Sequence, residues 1–500
     1  MPRAAKSTTV GIRRGGGGGP RPATGPRPAA RSLPVGVVGL GYMGISTALS
    51  LAARGHRVRG YDINPDTRRQ LERSRSPYRE PRLEGLLRRM RREGRFRVAE
   101  ELPEVASESE GMFVCLPTPP NPSGRIDLRP LKSGLRTLAD ALRSVDGYRV
   151  VVIKSTVVPG TTEGVLEPLL RRRTGRPVDR LGVASNPEFL AEGSMIRDAL
   201  TPERIVLGAR DARTRAWLRR VYRPFRAPLF ELTPTGAELV KYASNSFLAV
   251  KVSFANEVSR LAEALGVHVD EVLSAVGSDS RIGPKFLRAG PGFGGSCFSK
   301  DLRAIVTTAR DLGLRFRLGE TTLRVNAEQT GHALELIREA VGPIRDRKVA
   351  VLGLSFKAGT DDVRESRAFP LVEALVHGGA QTRVHDPVAL PRFRAAWENG
   401  GTSHGPPGAG RVEYRRTVPS ALEGADLAVL LTDWPIYQSW TKAWTDRMAH
   451  GVLVDLRRAL PPTAARRANL RLVALGVGEP GSGPSQAAPV GSGRSAGRAG

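Results

Sequence analysis

Two cysteines in 500 residues, Cys115 and Cys297, leave no disulfide framework to build, which points to a reducing compartment and a cytoplasmic site of action. No apolar run approaches the ~18 residues of a membrane helix, so no membrane partner is expected. The N-terminal stretch is charged but has no apolar core segment, so it does not read as a secretory signal. Aromatics are only 5% of residues, yet the 40% hydrophobic content is ample for packed cores. Acids are outnumbered, 49 against 77 bases, for a net charge of +28. Such a balance invites nucleic acid as a partner. However, the first 32 residues carry Lys6 and six arginines without an acid, and the remaining excess is spread along the chain with no recognition helix or zinc pattern. No nucleic-acid role is expected, and no metal site.

A length of 500 residues suggests two or three domains. Residues 1–32 are mostly Gly, Pro, Arg and Ala, and the tail from 478 is rich in Gly, Ser and Pro. Both are expected to be disordered. Between them, Leu33-Pro-Val-Gly-Val-Val runs as a strand into Gly39-Leu-Gly41-Tyr-Met-Gly44, and a helix follows. A second strand, His56–Tyr61, ends in Asp62, 18 residues past Gly44. Glycines between strand and helix, with an acid at that distance, form the pattern that seats a dinucleotide pyrophosphate on a helix N-terminus and an NAD ribose on the acid. Asp62 would repel the extra phosphate of NADP.

Strands and helices then alternate through about Asn186, which argues a parallel, doubly wound α/β sheet. Polar residues follow three strand ends: Pro117-Thr118-Pro119, Ser155-Thr156, and Asn186-Pro-Glu188-Phe189-Leu190-Ala191-Glu192-Gly193. Ligands bind along that edge of such sheets, and three polar ends in register exceed what helix capping explains. Residues 234–275 read as helical, with Glu238, Lys241 and Asn245 on one face; Phe247–Leu265 suits a domain or subunit interface. A second, shorter α/β sheet starts at Lys348–Leu352, whose end leads to Lys357 and Arg364, candidate phosphate ligands. It echoes the first strand, since an apolar strand followed by glycine occurs at Val35–Gly39 and again at Val349–Gly353. The Gly- and Pro-bearing region 391–413 reads as a loop insertion.

Between the sheets lies Gly290-Pro-Gly-Phe293-Gly294-Gly295-Ser296-Cys297-Phe-Ser-Lys300-Asp301. The glycines let backbone approach a ligand closely. The residues after it read as a helix, which places Cys297 near a helix N-terminus where a thiolate is favoured. Lys300 and Asp301 share its face, the layout of an activated nucleophile.

With these motifs in this order, residues 34–473 resemble the UDP-glucose/GDP-mannose dehydrogenase family. The resemblance implies two Rossmann-like parallel-sheet domains joined by a long central helical segment. The expected divisions are an NAD-binding domain at 33–210, a central domain at 211–330 and a nucleotide-sugar domain at 331–477. It implies oxidation of a nucleotide sugar's C6 alcohol to the carboxylate with two NAD, through a thiohemiacetal and a thioester on Cys297. Lys241 and Asn245 match the pair that stabilises the C6 oxyanion. Asp301 and Thr118 match the pair that positions water, with Asp301 or Glu192 as proton acceptor. NAD is assigned to Gly39, Gly41, Gly44, Asp62, Thr118, Thr156, Glu192, Lys300 and Arg364. The sugar nucleotide is assigned to Glu188, Phe189, Leu190, Ala191, Lys241, Asn245, Phe293, Gly294, Gly295, Ser296 and Lys357. Arg281 resembles an arginine donated across a homodimer. UDP-glucose is the expected substrate, with GDP-mannose or a UDP-N-acetylhexosamine as alternatives and a non-catalytic nucleotide-sugar binder outside the enzymes. Ser299 and Arg367 stand where the family commonly has Pro. Cys115 is read as a buried small residue.

Overall fold

The computed structural model describes residues 32–400 and 412–478. The N-terminal basic stretch up to Arg31, residues 479–500 of the tail, and 401–411 of the expected loop insertion lie outside them. The first sheet contains β1 (Pro34–Val38), β2 (Arg57–Tyr61), β3 (Phe96–Val98), β4 (Gly111–Val114), β5 (Arg149–Ile153), β6 (Leu181–Ser185), β7 (Ile205–Ala209) and β8 (Leu229–Leu232). Its order is β3-β2-β1-β4-β5-β6-β7-β8. The Val- and Ile-rich strands from β1 to β6 run parallel and are covered by helices on both faces, as continuous apolar strands require. Because β6 pairs β7 antiparallel, β7 and β8 run opposite to the rest, so the sheet is parallel over six strands and mixed at one edge. The sheet continues to Leu232, so a boundary at 210 would cut it between β7 and β8; β7 follows a short helix (Met195–Leu200).

The helix Pro234–Ala264, 31 residues long, then crosses between the two sheets, with Thr233 capping it by accepting from the Gly236 N–H. A turn at Leu265–His268 separates it from Val269–Ser278, so the expected helical stretch to about 275 is two helices. Helices Phe298–Asp311 and Arg317–Val341 pack beside the central one and complete the middle of the molecule.

The second sheet comprises β9 (Lys348–Leu352), β10 (Gln381–His385), β11 (Val412–Tyr414), β12 (Leu427–Leu430), β13 (Val452–Asp455) and β14 (Arg471–Ala474), in the order β11-β10-β9-β12-β13-β14 and parallel throughout. The region read as a loop insertion is corrected here. Leu390–Glu398 is a helix whose Phe393 and Trp397 stack with Phe369 in the core, and Val412 opens β11. Its Pro391 sits in the first helical turn, where proline is favourable, and so misleads as a breaker.

The echo between the two sheets is structural. Gly39 and Gly353 both have positive φ (+87° and +98°), and each donates its N–H to the residue ending the neighbouring strand, Tyr61 or His385, at 2.8 Å. The next residue in each case is an aspartate that accepts from the turn: Asp62 from the Leu40 N–H, and Asp386 from those of Leu354 and Ser355. Asp386 is fully enclosed and also accepts from Val388 N, Ala389 N and the Trp434 indole N–H. Removing one carboxylate would strand four backbone donors, each worth about 1–3 kcal/mol if left unmet. Asp386→Ala is therefore expected to lower the thermal unfolding midpoint by many degrees, whereas Asp62→Ala should shift it far less; differential scanning calorimetry of both variants checks this.

Candidate active site

The parallel strands β1, β4, β5 and β6 all end on one edge, and the polar segments following them converge there. Gly41 is the N-cap of the helix Tyr42–Ala53 and supplies no side-chain cap, so the first N–H groups of that helix stay available. A Cβ on Gly44 would collide with the Gly39 carbonyl, while one on Gly41 would point into open space. The first constraint is internal packing; the second leaves room where a pyrophosphate would lie. Asp62 is only half-buried, with Leu40 N at 2.7 Å on one oxygen and Asn64 N at 2.9 Å on the other. These residues fit NAD. Thr118 donates its hydroxyl to the Thr156 carbonyl at 2.9 Å and ties two of the loops together.

The central helix packs across β6 and β7 and turns Glu238, Lys241 and Asn245 inward, so the stripe is buried rather than solvated. Glu238 accepts from Gly160 N and Thr162 N at 2.7 and 2.9 Å, capping the π-turn Thr162–Leu166, and burial raises its carboxyl to about 7. Lys241, only 4% exposed, donates to Glu188 at 2.9 Å. Burial pulls its pKa down, but Glu188 and Asp301 outweigh that and hold the ammonium above its usual value. Glu188 is the mirror case: burial raises it, the charge and hydrogen bond of Lys241 dominate, and the net shift is downward. Phe189 lies beneath the Lys241 ammonium, 5.5 Å from ring centroid to Nζ. Asn245 donates Nδ2 to Asp301 at 2.7 Å, and Lys300 donates to the other Asp301 oxygen at 2.5 Å.

The loop from Gly290 to Ser296 is pinned from three directions. Gly290 N donates to Asn256 of the central helix at 2.8 Å. Phe293 exchanges two bonds with Asn326 of the helix Arg317–Val341, and Gly295 N donates to the Arg364 carbonyl at 3.0 Å. Arg367 donates to the Pro291 carbonyl at 3.2 Å and to Thr330 at 2.6 Å. The glycines serve the protein more than a ligand. A Cβ on Gly294 would strike the Glu365 carbonyl, and one on Gly295 (φ +83°) would strike the Phe356 ring. Their need for close approach is met by the chain after β9.

Cys297 caps the helix Phe298–Asp311, as expected, and is solvent-accessible. Its thiol is nonetheless pushed up from its ordinary pKa, a correction to the expectation of a thiolate. The surrounding protein mass disfavours the charged form, Glu188 adds to this, and Lys241 only partly offsets it. Ser296 Oγ lies 3.6 Å from Sγ. Cys115 is enclosed, its thiol pushed up to about 12 by burial.

The remaining expected site residues divide into two groups. Glu192 and Arg364, from different sheets, pair at 3.1 Å, and Asp362 also holds Arg364. Burial and the Asp362 charge raise Glu192 to about 7. Lys357 lies over the Phe356 ring at 5.5 Å, lowered by burial and held partly up by Glu192 and Glu80. Leu190 N donates to Glu188 at 2.5 Å, and Ala191 N to Asp198 at 3.2 Å. Arg281 stands apart, exposed and paired with Asp279. Asn256, Asn326 and Glu80, which accepts from Gly193 N at 2.9 Å, escaped the sequence reading. Asparagines inside helices, where they are poor formers, were the available signal for the first two.

Domains of the UDP-glucose/GDP-mannose dehydrogenase family match in succession: the NAD binding domain at residues 33–226, the central domain at 235–328 and the UDP binding domain at 350–462. The chain belongs to this family. It is 37% identical over 432 residues to a UDP-glucose 6-dehydrogenase of Haloferax volcanii, covering 85% of this chain and 97% of that one. A GDP-mannose 6-dehydrogenase of Pseudomonas aeruginosa is 37% identical over 356 residues, 70% of this chain and 80% of that one. Among solved structures, a UDP-glucose dehydrogenase from Pyrobaculum islandicum superposes with a TM-score of 0.81 at 40% identity, covering 91% of this chain and all of that one. The chain is thus an NAD-dependent nucleotide-sugar 6-dehydrogenase of the UDP-glucose/GDP-mannose type, most like the UDP-glucose 6-dehydrogenases.

The two thiols differ enough in exposure to be separated chemically. Iodoacetamide at pH 8 is expected to add one group, on Cys297, with a rate that keeps rising above pH 9 because the thiol is raised; peptide mass spectrometry across a pH series checks this.

Proposed function

We propose that this enzyme oxidises the C6 alcohol of UDP-glucose to the carboxylate in two steps, with Cys297 as the covalent nucleophile. The observation that carries the reading is the grouping of an accessible Cys297 with the buried pairs Lys241–Glu188 and Asn245–Asp301. UDP-glucose is favoured over GDP-mannose by the fuller coverage of the Haloferax UDP-glucose relative, 97% of that chain against 80% of the GDP-mannose relative.

Lys241, kept charged by Glu188, holds the C6 oxygen as its negative charge develops, and the Asn245 amide adds a second donor. NAD, when bound at Gly39–Gly44 and Asp62, supplies the hydride acceptor for each oxidation. The Cys297 sulfur adds to the aldehyde carbon, forming a C–S bond while its proton leaves to a base. Loss of the C6 hydride from this thiohemiacetal gives a thioester. Water then attacks the same carbon, the C–S bond breaks and the thiol is restored. Asp301, whose charge Cys297 feels, orients that water with Thr118. Glu192, held near pH 7, has the proton affinity of a base working at neutrality.

The central helix leaves Leu239, Phe247, Phe254 and Leu261 exposed along one side, and Leu265, which caps its end, extends the stripe. A second copy of the chain covering this stripe is the occupant we propose, with the exposed Arg281 directed to the partner's site. Light scattering should give twice the chain mass, and Phe247→Asp with Phe254→Asp should give the mass of one chain.

Two NADH per UDP-glucose are expected, and no NADH with any nucleotide sugar would overturn the assignment. GDP-mannose and a UDP-N-acetylhexosamine, run in the same panel, should react far more slowly. Cys297→Ser should stall before free acid, so wild-type acid production by that variant would refute the covalent route. Lys241→Met should cut kcat by about 10²–10³.

A further inference from the structure

A second buried cation lies behind the Glu188–Lys241 pair and has no part in the chemistry above. Lys154 directly follows β5, is 8% exposed, and points its ammonium at Asn186, with Oδ1 at 3.0 Å and the backbone carbonyl at 3.3 Å. Asn186 is fixed on every side. Its amide donates to the Val206 carbonyl at 2.8 Å, its N–H to the Ile153 carbonyl at 2.8 Å, and its Oδ1 also accepts from the Tyr222 hydroxyl. Both acceptors of Lys154 are neutral oxygens, a costly way to bury an ammonium if structure alone were at stake. An apolar side chain of equal length would fill the same space.

What the arrangement controls is the next turn of chain. Pro187 follows Asn186 and fixes its own φ, so the orientation of Asn186 passes to Glu188 with one torsion removed. Glu188 then divides its carboxylate between Leu190 N and Lys241. We propose that Lys154 is a positioning residue for the oxidation: by holding Asn186 it aims Glu188 at Lys241, and its charge helps keep Glu188 ionised. The proposal rests on the role given to Lys241 above.

The groups facing Lys154 are Cys115 at the end of β4, Glu188, and Lys241 of the central helix. Burial lowers the ammonium to about 8; Cys115 and Glu188 oppose this and Lys241 adds to it. Protonated Lys154 therefore predominates below pH 8 and is lost as pH rises through that value, so turnover should decline there.

The test compares kcat, KM and pH profile for wild type, Lys154→Met, Asn186→Asp and Lys241→Met. Lys154→Met is expected to lose about tenfold or more in kcat, roughly 1.4 kcal/mol, while KM for UDP-glucose and NAD and the thermal midpoint hold and the decline near pH 8 disappears. Asn186→Asp places a carboxylate beside the ammonium and should move that decline above pH 9. Wild-type kcat and pH profile in Lys154→Met would overturn the proposal. So would a kcat loss matched by a fall in thermal midpoint, or, should Lys154→Met not fold, a decline that stays near pH 8 in Asn186→Asp. Full activity in Lys241→Met would instead remove the reading of Lys241 on which this one stands.

Discussion

Lys241 keeps a full positive charge inside the protein, and most of the site follows from that requirement. Desolvation alone would pull its pKa down, and a carboxylate within hydrogen-bond range reverses that shift. Glu188 provides it at 2.9 Å, and Glu188 in turn must be held by backbone, as it is by Leu190 N. The same logic repeats one turn along the helix, where Asn245 faces Asp301 and Lys300 closes the other oxygen. These contacts tie the β6 loop, the central helix and the helix that begins after Cys297 into one unit. A shift between the β6 loop and the central helix would separate Glu188 from Lys241, and a shift of the third element would break the Asn245–Asp301 bond. Cys297, at the start of that third element, is held in place through these contacts.

Against that frame of fixed charges, the two sheets use one local device for different ends. In each, a glycine with positive φ follows the first strand and an aspartate from the next strand end accepts from the turn. Asp386 has all its capacity consumed by backbone donors and an indole N–H, and it is buried. Asp62 accepts from two backbone donors, stays half-exposed, and has lone pairs to offer. A carboxylate can recognise a ribose only if the fold leaves it unsatisfied. By that criterion the first turn is built for a ligand and the second for stability, although the strand-and-glycine pattern that announces them is the same.

Local patterns were the legible part of the sequence. Gly39–Gly44, Asp62 and the alternation of apolar strands with helices depend on neighbours in the chain, and each falls where spacing puts it. The capping position of Cys297 is equally local. What the sequence hid depends on partners far away. That Gly294 and Gly295 yield to Glu365 and Phe356 needs the second sheet to be in place. The reversal of β7 is invisible because an antiparallel strand at a sheet edge has the same composition as a parallel one. Leu390–Glu398 was hidden by Pro391, which marks a helix start as readily as a loop. The direction of the Cys297 shift was misjudged for a related reason. A helix terminus is a local feature, whereas the protein packed around the thiol and the charge of Glu188 are not.

The raised thiol bears on how Cys297 would act in the proposed reaction. Raising a thiol's pKa by one unit cuts the thiolate fraction about tenfold below that pKa. The remaining thiolate is more nucleophilic by a factor of about three, for a Brønsted coefficient of ~0.4–0.5, so the net loss is only about threefold. In the proposed reaction Cys297 attacks an aldehyde formed within the same site and held there by Lys241 and Asn245. Effective molarities for well-oriented groups reach ~10⁵–10⁸ M, which outweighs a loss of that kind. A protonated resting thiol also resists oxidation, to which an accessible thiolate would be prone. In the proposed reaction placement, rather than acidity, is then what Cys297 needs, and the bonds of the loop before it to Asn256, Asn326 and the Arg364 carbonyl supply it.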